Sequence, residues 1–306
     1  MKMSSLVMQA VTGSAPAVDL HVYKKRTQFG EVWRRFRRSK GAIVGLIIIA
    51  LMLFCALFAN FLFDYNTEVI EPNYDEALET PSAKHWFGTD EFGRDVFARV
   101  VFGARLSLYI GLTSTTSALI FGVLIGAFSG YIGGRFDSIV MRVVDVFLAL
   151  PSILLALTIV AALGPNINNL ILAISIANIP YFARIFRAEV LAIKDKEFIE
   201  ASRALGANRN TIIFREILPN CLSPIIVQAS IIMALAVIVS AEFSFLGLGV
   251  QPPTPEWGCM VAGARKFLLS SPYLTIFPGV AIMLTVLAFN LVGDALRDAT
   301  DPRLKH

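Results

Sequence analysis

Six apolar runs, each close to the length that crosses a lipid bilayer, constrain this chain more than any other feature. They are read at about Gly41–Phe63, Leu106–Tyr131, Ile139–Leu163, Leu170–Ala188, Leu222–Leu248 and Tyr273–Val292. At ~1.5 Å of rise per helical residue, about 20 residues cover the ~30 Å hydrocarbon core. No water reaches an unpaired N–H or C=O in that core, so each run must be a helix that satisfies its own backbone. Composition agrees: 56% of the 306 residues are hydrophobic and 16% are charged, where a soluble domain carries about 25% charged residues. The expected fold is all-α and polytopic, with six transmembrane helices and a lipid-facing bundle in place of a soluble core.

An even number of spans puts both termini on one side. Of the 27 Lys and Arg residues, only six (Lys84, Arg94, Arg99, Arg105, Arg265 and Lys266) fall opposite the N-terminus, and the other 21 share its side. Cationic loops stay in the cytoplasm during insertion, so both ends are expected to be cytoplasmic. The net charge of +4 follows from that asymmetry and needs no nucleic-acid partner. The cluster Trp33, Arg34, Arg35, Phe36, Arg37 and Arg38 is read as holding the N-terminus at the inner lipid surface. The first apolar run begins too far along the chain for a secretory leader. The expected organisation is a basic cytoplasmic segment over 1–40, a first span over 41–63, an outer loop over 64–104, a core of five spans over 105–294 and a cytoplasmic tail over 295–306. Within the outer loop, His85–Arg105 puts Phe92, Val96, Phe97, Val100 and Val101 on one helical face. Asp90, Glu91, Arg94, Asp95 and Arg99 take the other, and an interfacial helix or a solvated surface helix both fit that pattern.

One stretch between two spans departs from the apolar rule. Residues 194–220 read KDKEFIEASRALGANRNTIIFREILPN, and Asp195, Lys196, Glu197, Glu200, Arg203, Arg209, Arg215 and Glu216 exclude it from lipid; each charge costs about 2.5–3.5 kcal/mol at the bilayer centre. Phe198, Ala201, Ser202 and Leu205 recur at helical spacing and predict a small buried face. Gly206 fits a helix C-cap. Asn208 or Asn210 can open a second helix carrying Ile212, Ile213 and Ile217, and Pro219 marks the handover to the next span. The expectation is a helix, a glycine turn and a second helix on the cytoplasmic surface.

That stretch resembles the Glu-Ala-Ala loop of binding-protein-dependent ABC transporter permeases. Glu200, Ala201, Ser202, Gly206, Leu218 and Pro219 fall where that family carries its motif, with Ser202 in place of the second Ala and Glu216 in the usual Ile position. Other stretches look like the dipeptide, oligopeptide and nickel branch, some of whose members take glutathione. They are the basic N-terminus leading into the first span, HWFGTDEFGRDVFARVVFGARLSLYIG from His85, AEFSFLGLGVQPPTPEWG from Ala241 and GDALRDATDPRLK from Gly293. The resemblance implies a type I ABC importer permease fold in a bacterial inner membrane. It also implies a second, homologous permease, two ATP-binding subunits that hold ATP and Mg, and a periplasmic substrate-binding protein. The coupling residues it implies are Glu197, Glu200, Ala201, Ser202, Leu205, Gly206, Leu218 and Pro219. The helix around Glu197–Leu205 would dock on an ATPase, with the pull passing through Pro219 to the fifth span and Arg187 to the fourth.

Other positions are read from chemistry alone. Gly122, Gly126 and Gly130 are one helical turn apart and let two backbones approach closely, so they predict a packing seam. Glu242 is the one carboxylate well inside a span. Two roles stand for it: meeting a substrate ammonium on the translocation path, or packing near the outer mouth against backbone or Arg265. Gln228 and Asn290 join it as candidate path residues, with interhelical hydrogen bonding as the plainer role. Asp145 is expected to pair with Arg142. Cys55, Cys221, Cys259, His21 and His85 lack metal-ligand spacing, so no metal site is assigned. There is no Gly-x-x-x-x-Gly-Lys-Ser/Thr phosphate loop, so the chain is not expected to hydrolyse ATP or carry a cofactor. The rival reading is an ion-coupled secondary transporter or channel, which the scarcity of ionisable groups inside the spans disfavours.

Overall fold

The computed structural model describes residues 28–300, and apart from one isolated bridge between Thr89 and Asp95 its regular structure is helical. A short helix α1 (Gln28–Phe36) precedes α2 (Lys40–Leu62), which Ser39 opens by accepting from the Ala42 N–H at 3.3 Å. Then come α3 (Val96–Ile132), α4 (Gly134–Leu148), α5 (Ser152–Leu163), α6 (Ile167–Ile193), α7 (Glu197–Ala204), α8 (Arg209–Phe245), α9 (Trp257–Ala264) and α10 (Tyr273–Thr300). Five of these are long and apolar enough to cross a membrane. The bent pair α4 and α5, which meet at 84°, makes a sixth if taken as one span. The basic residues before position 28 and the tail beyond 300, including Arg303 and Lys305, lie outside the described residues.

The centre of the bundle is the α3–α6 pair, and its closeness comes from missing side chains. A Cβ on Gly122 would stand 2.5 Å from the Phe182 Cβ and 2.8 Å from the Ile179 carbonyl oxygen. On Gly126 it would stand 2.4 Å from the Ala183 carbonyl oxygen, and on Gly130 3.0 Å from the Val190 Cβ. The two backbones are therefore in van der Waals contact over two turns, the arrangement that small residues permit in lipid. The pair α8 and α10 packs beside them, and α2 lies outermost, exposing Ile47, Leu57 and Phe61 along its length. Gly45 of α2 meets the Ala288 carbonyl of α10, and Phe36 of α1 is buried between Ala295 and Ala299 at the end of α10. That contact lies where the last helix runs on into the expected tail, from Ala295 to Thr300.

The segment 64–95 folds over one end of the bundle as a cap, and the helix read over His85–Arg105 forms only in its second half. Within His85–Arg105 only Val96 onward is helical, and those residues are the first turns of α3. Asp95 caps that helix by accepting from the Ala98 N–H at 2.8 Å. Nor do the polar residues face water: Arg94 and Arg99 are 8% and 4% exposed. Arg94 Nε donates to Asp90 at 2.8 Å, and Arg99 donates to the carbonyls of Val69 and Pro253. A one-dimensional pattern separates two faces, but the cap and α9 cover both.

The loop before α9 holds a group the sequence reading missed. Glu256, 1% exposed, caps α9 by accepting from the Cys259 N–H at 2.8 Å, and accepts from Ser244 of α8 at 2.9 Å and Ser107 of α3 at 3.3 Å. One carboxylate thus joins three helices. Glu256→Ala leaves three buried donors without an acceptor, and a loss of about 1–3 kcal/mol per unsatisfied group is the expected scale. The thermal midpoint of the purified chain in detergent should fall well below that of the parent. Glu256→Gln, which keeps one acceptor oxygen, should fall less, and equal midpoints for all three would refute this role.

Candidate functional site

At the end of the bundle away from the cap, α6 runs out at Ile193 and a three-residue turn leads to α7. Lys196 is the extended residue before the helix, and Glu197 and Glu200 sit in its first turn, where the helix dipole favours negative charge. The helix stops at Gly206, whose φ of +83° is open to glycine at little cost. The Gly206 N–H donates to Arg203 O at 3.0 Å and the Ala207 N–H to Ser202 O at 3.1 Å, the paired bonds that close a Schellman cap. Asn208, one of the two expected caps, opens α8 by accepting from the Thr211 N–H at 2.8 Å. Helix α8 then passes through a π turn at Ile212–Ile217 and continues unbroken past Leu218 and Pro219. Pro219 therefore lies inside a continuous helix rather than at a handover.

The buried face of α7 differs from the expected one. Phe198, Ala201, Ser202 and Leu205 do share a side of the helix, but Phe198 is 40% and Leu205 89% exposed, Ala201 is exposed and Ser202 half-buried. The residue turned inward is Ile199, at 0% exposure. It enters an apolar cluster with Val123 of α3, Phe186, Val190 and Ile193 of α6, and Ile212 and Ile217 of α8; Leu218 packs against that cluster. Ile199 is thus the buried anchor of α7 in a cluster shared by α3, α6 and α8, while an apolar strip edged by Asp195, Glu197 and Glu200 faces outward. Exposed apolar strips rimmed by charge mark protein contact surfaces.

The neighbouring ion pairs also differ from expectation. Asp145 pairs with Arg184 of α6, not with Arg142. Arg187 forms a two-pronged pair with Asp137 of α4, Nε to Oδ1 and Nη2 to Oδ2 each at 2.6 Å. The reason is helix geometry: α4 lies along α6, and its acidic side faces the two arginines.

The candidate path residues do not converge. Glu242 of α8 is exposed beside Ile153 of α5, Ile282 of α10 and Phe245. Its carboxylate has no hydrogen-bond partner among the described residues, and Arg265 stacks over Phe245, with its guanidinium carbon 5.2 Å from the ring centre. Gln228 is half-buried and Asn290 exposed. Gln228 lies roughly 21 Å from Glu242 along the axis of α8, so the three do not form one ligand cluster. In the cap, His85 bridges Asp95 at 2.7 Å and Glu76 at 3.0 Å. The bond from Lys84 holds the Glu76 carboxyl below its ordinary range, with His85 adding to it.

These features define a polytopic membrane protein with an anchored, charged helix hairpin on one face, and comparison with known proteins places it. The fold is shared with the MetNI methionine ABC transporter in an inward-facing conformation, at a TM-score of 0.55 and 21% identity over 66% of this chain and 97% of that one. Residues 122–306 match the family "Binding-protein-dependent transport system inner membrane component", and residues 27–81 match the "N-terminal TM domain of oligopeptide transport permease C". The chain is 48% identical to the dipeptide transport system permease protein DppC of Alkalihalophilus pseudofirmus, covering 92% of each chain. It is 45% identical to the glutathione transport system permease protein GsiD of Pectobacterium atrosepticum, covering 92% of this chain and 93% of that one. A di/tripeptide transport system permease protein of Pseudomonas aeruginosa is 45% identical, covering 90% and 92% respectively. The chain belongs to the binding-protein-dependent transport system inner membrane component family. It is a permease subunit of an ABC importer, and the ion-coupled reading is not favoured.

Proposed function

We propose that this chain forms half of a translocation pathway for peptides or a related small solute such as glutathione, delivered by a periplasmic binding protein. A second, homologous permease supplies the other half. Two ATP-binding subunits hold ATP and Mg on the cytoplasmic side, where both termini also lie, and this chain does no catalysis. Helix α7 docks on one ATPase through Phe198, Ala201, Ser202 and Leu205, with Glu200 making a charge-assisted contact to a basic residue there. Closure of the ATPase pair moves the hairpin, and the bundle switches from outward to inward access. The observation that carries this reading is the outward apolar strip of α7 on a helix whose Ile199 is buried in a cluster shared by α3, α6 and α8.

The test uses the complete complex with its cognate subunits in proteoliposomes and labelled di-alanine, with labelled glutathione where di-alanine is not taken. Glu200→Ala removes the proposed charge contact, and Gly206→Asp strains the turn where φ is +83°. Each should weaken co-purification of the ATPase and reduce uptake, by about ten-fold for Gly206→Asp. Parental uptake and assembly in both variants would refute the docking reading.

A further inference from the structure

Helix α4 is attached to the bundle by charge rather than by burial. Of its 15 residues only Val144 is buried, while Phe136, Ile139, Val143 and Val146 are all exposed. Its start hangs on Gly133 and Gly134, both at positive φ (+69° and +59°), with no atoms near enough to restrain a Cβ on either. Its end is the 84° bend into α5. Two glycines in open space make a swivel, and a helix with so little buried surface cannot be driven by packing. What holds it to α6 is two ion-pair rungs. Asp145 with Arg184 is exposed on both sides, and such a pair contributes about 0–1 kcal/mol. Asp137 with Arg187 is different: both carboxylate oxygens take a guanidinium N–H at 2.6 Å, and the Ser129 hydroxyl of α3 donates to the same carboxylate. Two-pronged, charge-assisted pairs fix geometry as well as energy.

Arg187 is also where the glycine seam grips α6. A Cβ on Gly126 would stand 2.9 Å from the Arg187 nitrogen, and one on Gly130 3.2 Å from its carbonyl oxygen. The backbone of Arg187 is therefore held by α3 while its side chain holds α4. Less than two turns further on, α6 ends at Ile193, inside the cluster that receives Ile199 of α7. The chain of contacts is continuous from hairpin to cluster, to the α3–α6 pair, to Arg187, to Asp137.

We propose that the Asp137–Arg187 pair is the joint through which displacement of the hairpin reaches α4 and, across the bend, α5. This rests on the docking reading of α7. Both act here as positioning residues, each through the other. With the joint intact, α4 follows α6 when the hairpin moves. With it cut, α4 swings on Gly133 and Gly134, and ATP is spent without switching the pathway.

The experiment measures ATP hydrolysis and uptake of labelled di-alanine, or of labelled glutathione where di-alanine is not taken, in proteoliposomes of the complete complex. Asp137→Asn should cut uptake about ten-fold while hydrolysis stays within about two-fold of the parent. The exchange Asp137→Arg with Arg187→Asp should recover much of the uptake that either single reversal loses. A merely structural pair would lower both activities together, so a proportional fall in hydrolysis and uptake overturns the joint. So does an exchange variant no better than the single reversals. If Asp137→Asn does not assemble, Arg187→Lys is read by the same ratio, since it keeps the charge and loses the fork. Gly206→Asp in the same assay separates the two ideas. Parental uptake there and in Glu200→Ala, with normal assembly, sinks the docking reading, whereas blocked uptake there with proportional losses at Asp137 sinks only the joint.

Discussion

Gly126→Leu is expected to leave almost no folded chain in the membrane. The Cβ alone would stand 2.4 Å from the Ala183 carbonyl oxygen, 2.9 Å from the Arg187 nitrogen and 3.0 Å from the Phe186 Cβ. Two of those atoms are backbone, so no rotamer change relieves the clash. Helix α6 must move away bodily, and that opens the seam at Gly122 and Gly130 and the cluster beneath them. Overpacking a core costs about 1–3 kcal/mol when side chains can adjust, and here they cannot. Without water as a driving force, helix association in lipid depends on this fit. Gly279→Ala is the control, because a Cβ there meets nothing within 4 Å. Membrane-fraction yield and the detergent melting curve decide the matter. Should Gly126→Leu accumulate and melt like the parent, the α3 and α6 backbones are not in contact as described.

The second large effect is expected at Ile199. It is 0% exposed and is the one buried residue of α7. Ile199→Asp offers the helix two outcomes. Burying an unpaired carboxylate costs several kcal/mol. Swinging α7 out forfeits the burial of one Ile, about 1.5–3 kcal/mol. Detachment is the cheaper route, so the hairpin should come loose while the bundle stays assembled. Uptake should fall to background and the ATPase should co-purify weakly, with membrane yield close to that of the parent. Ile199→Val, which forfeits about 0.5–1.5 kcal/mol, should transport nearly normally. Uptake by Ile199→Asp within about two-fold of the parent would show that α7 does not act through this anchor.

The two variants mark where the sequence could be read and where it could not. Spans are legible because backbone satisfaction in lipid forces any apolar run of that length to be helical. Gly206 and Asn208 are legible because a left-handed turn and a helix cap are local chemistry, settled within a few residues. Ile199 was not, because helical spacing tells which residues share a face without telling which face meets a neighbour. The outward strip of α7 has the spacing of a core face. Arg99 was misread for the converse reason. It stands on the charged side of its helix, and only the folded cap and the Pro253 carbonyl make that side an interior. The pairing of Arg187 with Asp137 joins residues 50 positions apart, beyond any local pattern. Glu256 gave no signal because a carboxylate in a proline-rich loop looks solvated until three helices close on it.

The contact of Phe36 with Ala295 and Ala299, together with Gly45 against Ala288, bears on the order in which the protein matures. At the cap end, α2 finds α3 as soon as the next span emerges. At its other end its neighbour is α10, the last of the described spans. The first of the described spans therefore waits with one flank uncovered until the last of them is made. A chain cut short before Tyr273 would leave that helix held at one end only.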